Sequence, residues 1–180
     1  MTSTSLAIST PFVVIMALAA ASDLRTRRIP NWLTAAGMLA APFLWGLFAG
    51  PAAALASFVG GLLALVVGMT LFALGALGGG DAKLLVVTGA FLGPARLVSA
   101  LLVIGITGGL LALGVAASRG RLMSTLANAV SMSTYLATLG RKGAHQRVQS
   151  TGALTVPYGI AIAAGSLMTW FAFPSELLLR

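Results

Sequence analysis

Cysteine is absent from all 180 residues, which excludes disulfides, thiolate catalysis and cysteine-bound zinc. Histidine occurs once, at His145, so a histidine-rich metal site is excluded too. Acidic residues are nearly missing: Asp23, Asp81 and Glu176 stand against eleven Lys and Arg. Only 8% of the chain is charged, where a soluble domain carries about a quarter. What fills the chain instead is apolar, with 58% hydrophobic residues and a mean hydropathy of +1.01. Such a chain belongs in a bilayer. The apolar runs are long rather than alternating, so an all-α bundle forming one integral-membrane domain over 1–180 is expected rather than a barrel.

The net charge of +8 would raise the question of nucleic acid in a soluble domain. Here the basic residues sit in short loops beside apolar runs, where they act as topology signals, and no nucleic-acid partner is implied. A first span over 1–22 has no basic residue before its apolar core and is followed by Arg25, Arg27 and Arg28. It therefore reads as a transmembrane helix with its N-terminus outside, not as a signal peptide. Pro30-Asn31-Trp32 opens a second span at about 31–49, and Gly50-Pro51 turns the chain into a third at about 53–76. Residues 82–93, ended by Gly93-Pro94, are short for a crossing that takes ~20 residues. Further spans follow at about 95–117 and 153–173. About six transmembrane helices result, with loops near 23–30, 77–83 and 118–150 on one side. Nine basic residues (25, 27, 28, 83, 119, 121, 141, 142 and 147) fall on that side and two (96 and 180) on the other, which makes the loop side cytoplasmic and puts both termini outside.

Against this background Asp23 and Asp81 stand out, because a carboxylate between apolar runs is costly and by default marks a functional site. The topology brings both to the cytoplasmic side and leaves Glu176 at the opposite end. Two carboxylates at one depth are suited to acid/base hydrolysis: when they share a site, repulsion keeps one protonated while the other accepts a proton from water. Gly78-Gly79-Gly80 before Asp81 permit positive φ and close approach of an extended backbone. Local roles compete with these. Asp81 is equally placed to cap the helix that follows, and Asp23 to pair with Arg25, Arg27 or Arg28, although an acid at a helix C-terminus is disfavoured by the dipole.

Asp23, Arg28-Ile29-Pro30-Asn31, Gly78-Gly79-Gly80-Asp81-Ala82-Lys83 and a late Pro157-Tyr158-Gly159 together resemble the signature regions of the type IV prepilin peptidases, membrane aspartic proteases of the Gly-x-Gly-Asp class. The resemblance covers nearly the whole chain. It implies an aspartic endopeptidase of the bacterial inner membrane that removes the short basic leader of a pilin-like precursor, just before the precursor's hydrophobic helix. Asp23 and Asp81 match the catalytic pair, Gly78 and Gly80 the motif glycines and Lys83 its lysine. No cofactor or metal is implied. Larger members carry a cytoplasmic insert with paired cysteines and also N-methylate the product. This chain has neither, so peptidase activity without methyltransferase activity is expected, as in the compact enzymes of tight-adherence pilus systems.

Among the remaining features, Gly79, Pro157 and Tyr158 are candidate supports of the site. Pro157 is equally suited to kink a helix. His145 reads as a solvated loop residue, and Trp32, Trp45 and Trp170 as interface or packing residues. Residues 122–139 carry apolar side chains at helix-like intervals, consistent with a surface helix or a solvated connector. A small proton- or cation-coupled transporter would use the same two acids for ion binding, and a scaffold would use them only as caps. Replacement by Asn separates a protease from a scaffold.

Overall fold

A chain this apolar has to satisfy its backbone N–H and C=O groups within itself, and helices do so segment by segment. In the computed structural model, which describes residues 3–118, 120 and 158–172, the elements are α1 (Ser3–Thr26), α2 (Asn31–Ala49), α3 (Pro51–Ala73), α4 (Gly79–Ser118) and α5 (Tyr158–Ala172). The expected all-α class holds among the described residues. Four helices, α1 to α4, are long and apolar enough to cross a membrane, while α5 has 15 residues. The chain divides into two compact units, Met1–Gly108 with Pro157–Arg180 and Gly109–Val156. Of the second, the described part is the end of α4 and Gly120.

The helix boundaries follow from glycine and proline. Gly50 has φ 90° and hands the chain to Pro51 in the first turn of α3, where a missing N–H costs nothing. α3 ends at Ala73 and is closed by Gly75, φ 73°, with the Ala76 N–H bonded to the Leu71 carbonyl and the Gly75 N–H to that of Phe72. This left-handed closure of a helix end suits glycine. Gly93, φ 73°, interrupts α4 immediately before Pro94. Thr88 and Ile104, on either side of Gly93, reach adjacent residues of α5. The Thr88 hydroxyl is 2.9 Å from that of Ser166, and the Ile104 backbone would lie 2.8 Å from a Cβ on Gly165. A straight helix cannot do this, so α4 doubles back at Gly93. Its first arm, 79–92, spans about 21 Å at 1.5 Å per residue.

That arm is held by close helix packing. Gly60, Gly61, Ala64 and Gly68 line the buried face of α3. A Cβ on Gly60 would overlap the Gly89 carbonyl oxygen, and one on Gly68 would stand 3.1 Å from that of Ala82. Ser57 adds a hydrogen bond to the Ala90 carbonyl at 2.7 Å. Small residues let backbones approach where lipid offers no hydrophobic gradient between helices. The outward faces of α2 and α3 carry Leu39, Phe43, Leu47, Leu55 and Phe58, all exposed, as a lipid-facing surface requires.

At the end of the bundle where the first arm of α4 finishes, aromatic side chains fill the core. Phe12 packs 4.8 Å from Phe91 and 5.1 Å from Trp170, ring centre to ring centre. The Trp45 indole donates to the Phe91 carbonyl at 3.1 Å. Trp45 and Trp170 are thus packing residues, while Trp32 is exposed. Arg96, counted above as a loop charge, is 7% exposed. Its Nε donates to the Leu92 carbonyl, and its guanidinium lies 5.3 Å from the Trp170 ring centre, a cation–π contact that makes burial tolerable.

Candidate active site

α1 carries Asp23 one turn before its end. The side chain is 6% exposed. Its Oδ2 accepts a 2.8 Å hydrogen bond from the Gly159 N–H in the first turn of α5. An acid at the C-terminus of its own helix is unfavourable, but this one sits at the N-terminus of another, where unpaired N–H groups point outward. A Cβ on residue 159 would lie 2.8 Å from that oxygen and 3.0 Å from Cγ. Only glycine lets the backbone reach the carboxylate.

The chain leaving α1 folds back over its last turn. Ser22 and Thr26 hydroxyls both donate to the Arg28 carbonyl, at 2.7 and 3.2 Å, and Arg27 takes φ 52°, an uncommon left-handed conformation for a side chain of this size. Pro30 then caps α2. The loop is consequently 27–30, shorter than the expected 23–30, because α1 runs to Thr26. Asn31 opens α2 and accepts a 2.8 Å hydrogen bond from Lys83 Nζ on α4. Lys83 thereby ties the loop to the helix that bears Asp81.

α4 starts at Gly79, so the loop expected over 77–83 is shorter. The reason is local: the Gly78 carbonyl accepts from the Ala82 N–H at 3.0 Å, which makes Gly78 the cap. Asp81, in the first turn, bonds back to the Gly78 backbone. This is one half of a capping box, with the acid at the third helical position. Asp81 does cap its helix, though from inside the first turn. The positive φ that Gly78, Gly79 and Gly80 permit is not used by them; in this region it belongs to Gly75. A Cβ on Gly80 would stand in ordinary contact, 3.4 Å from that of Ile29.

Asp23, Arg27, Arg28, Ile29, Pro30, Asn31, Gly78, Gly79, Gly80 and Asp81 line one cavity of about 490 Å³. The two carboxylates, brought from separate helices, are close enough for their charges to interact. Two acids facing one accessible space can activate a water and protonate a leaving group on a bound chain. Among the described residues no cluster of His, Cys, Asp or Glu is able to hold a metal ion.

Of the expected site residues, Asp23, Asp81, Gly78, Gly79 and Gly80 share the cavity, and Lys83 braces its wall. Tyr158 stands next to Gly159, its ring packed on the Gly108 backbone. Pro157, His145, Glu176 and the stretch 122–139 lie outside the described residues. Sequence reasoning missed Gly159 as a partner of Asp23, and read Arg27 and Arg28 as topology signals or ion-pair partners of Asp23 rather than as cavity walls. A glycine opening an apolar helix, with bare N–H groups, was the available clue to the first.

Among the described residues, long apolar helices and two acids in one cavity define a polytopic membrane protein with a candidate acid/base site. A family model, the type IV leader peptidase family, matches residues 11–113, and the chain is a member of that family. The match contains both Asp23 and Asp81. Searches of curated proteins and of solved structures found no match.

Proposed function

We propose that this chain is an aspartic endopeptidase that removes the leader from type IV pilin-like precursors for pilus assembly, at the cytoplasmic face of the bacterial inner membrane. The observation that carries the proposal is the shared cavity: Asp23 from α1 and Asp81 from α4 line it together, in a chain of the leader peptidase family. One carboxylate takes a proton from water, and the water oxygen bonds to the scissile carbonyl carbon. The other carboxyl, protonated, donates to the carbonyl oxygen. The first carboxyl then passes its proton to the departing nitrogen as the C–N bond breaks, and a hydroxyl of the tetrahedral intermediate returns a proton to the second carboxylate, which restores the pair. The doubling back of α4 at Gly93 supports a path of six crossings, with both acids at the loop-rich side and both termini outside. The α1–α2 loop has no room for a methyltransferase insert, so the product is left unmethylated.

Co-expression with a pilin-like precursor tests this on a gel. Wild type shortens the precursor, while Asp23→Asn and Asp81→Asn, at normal membrane levels, do not. Cleavage retained in both variants contradicts the proposal.

A further inference from the structure

The cavity of about 490 Å³ brings two arginines, Arg27 and Arg28, into the same space as the two acids. Both lie on the loop that folds back over the end of α1. The Arg27 N–H bonds to the Asp23 carbonyl at 2.9 Å, and the Ser22 and Thr26 hydroxyls hold the Arg28 carbonyl. The backbone that bears both guanidinium groups is therefore fixed against the turn that carries Asp23. Both side chains are exposed and open to an incoming group. The carboxylates have other partners: Asp23 accepts from the Gly159 N–H, and Asp81 bonds to the Gly78 backbone. Among the described residues, no ion pair joins either arginine to either acid. Two positive charges thus face the cavity without a protein anion to neutralise them.

Hydrolysis puts an anion into this space. Water adds across the C–N bond and leaves a carboxylic acid on the leader and an amine on the mature chain, and at neutral pH the proton passes from the acid to the amine. The new carboxylate appears beside two aspartates that share one proton, so the remaining negative charge repels it. A guanidinium attracts it, and its planar fork matches a carboxylate with two parallel N–H···O bonds, a fit that lysine lacks. Resting on the leader-peptidase reading, we infer that Arg27 and Arg28 form a binding site for the new C-terminal carboxylate of the severed leader. Held there, the leader occupies the cavity that the next precursor must enter, and the peptidase is inhibited by its own product.

The experiment measures inhibition of precursor cleavage by a synthetic leader peptide, made once with a free C-terminal carboxylate and once as the C-terminal amide. In wild type the free acid competes with the precursor and is about tenfold or more the better inhibitor, the scale of a hydrogen bond to a charged group. Its advantage shrinks as salt is raised, because the arginines are exposed. Replacing both Arg27→Gln and Arg28→Gln brings the two peptides to equal potency. Replacing both with lysine keeps part of the difference, since the charge survives without the fork. Arg25→Gln removes a neighbouring charge from the last turn of α1, outside the cavity lining, and keeps the wild-type ratio. Binding of the two labelled peptides reads the same ratio without turnover, so an inactive variant still answers. Equal potency in wild type, inhibition by neither peptide, or an acid advantage that survives in the double glutamine variant overturns the carboxylate site and leaves the peptidase reading intact. Wild type that fails to cleave the precursor overturns that reading, and the product site with it.

Discussion

The two ends of the helical bundle are built to opposite rules. At one end Phe12, Phe91, Trp45 and Trp170 fill the space between helices, and even the buried Arg96 is laid against an aromatic face. At the other, glycines stand in place of larger side chains, and about 490 Å³ is left open around two carboxylates. Packing of this kind decides stability, and the open end decides chemistry. A molecule built this way should respond to substitution at its two ends in separable ways, one in unfolding and the other in turnover.

The largest effect should come from the acids. Asp23→Asn and Asp81→Asn are each expected to slow cleavage by about 10²–10⁴-fold, the usual contribution of a positioned acid or base, with the thermal midpoint in detergent little changed. A large drop in that midpoint would show the acids to be structural and erase the contrast. Next comes Gly159→Ala. The new methyl must displace the Asp23 carboxylate, which it would meet at 2.8 Å, and a misplacement of about 1 Å is expected to cost roughly 10²-fold in rate. Full activity in this variant would mean that the α5 N-terminus does not position Asp23.

From the other end, Phe12→Ala should remove about 3 kcal/mol of stability through the cavity it leaves, read as a lowered thermal midpoint. Turnover per folded molecule should stay near wild type. The smallest change is expected from Lys83→Met, which loses the exposed bond to Asn31. At most about 1 kcal/mol, roughly fivefold in kcat/KM, is at stake. Asn31→Ala should match it, and the double variant should lose no more than either alone. Additive losses would mean that the two residues act separately.

Much of the open end was legible because its signals are local. The limits of α2 agree with the span read at 31–49, since Pro30-Asn31 and Gly50-Pro51 punctuate the chain by backbone geometry alone. The break at Gly93-Pro94 was visible for the same reason. Asp23 and Asp81 announced themselves by the cost of charge among apolar residues. What stayed hidden depends on three-dimensional neighbours. The destination of Arg96 needed the Trp170 ring, which comes from another helix. The partner of Asp23 needed α5 to arrive beside α1. The glycines before Asp81 show conformational freedom in the sequence, which does not tell which glycine uses it. The left-handed turn fell to Gly75.

The central claim is that Asp23 and Asp81 work as one unit, and single-turnover cleavage of a purified precursor by the two Asn variants and their double variant tests it most directly. Groups that share a step are strongly non-additive. The account predicts a double variant no slower than the slower single one. A double variant slowed by the product of the two single losses would contradict it and assign the acids to independent roles.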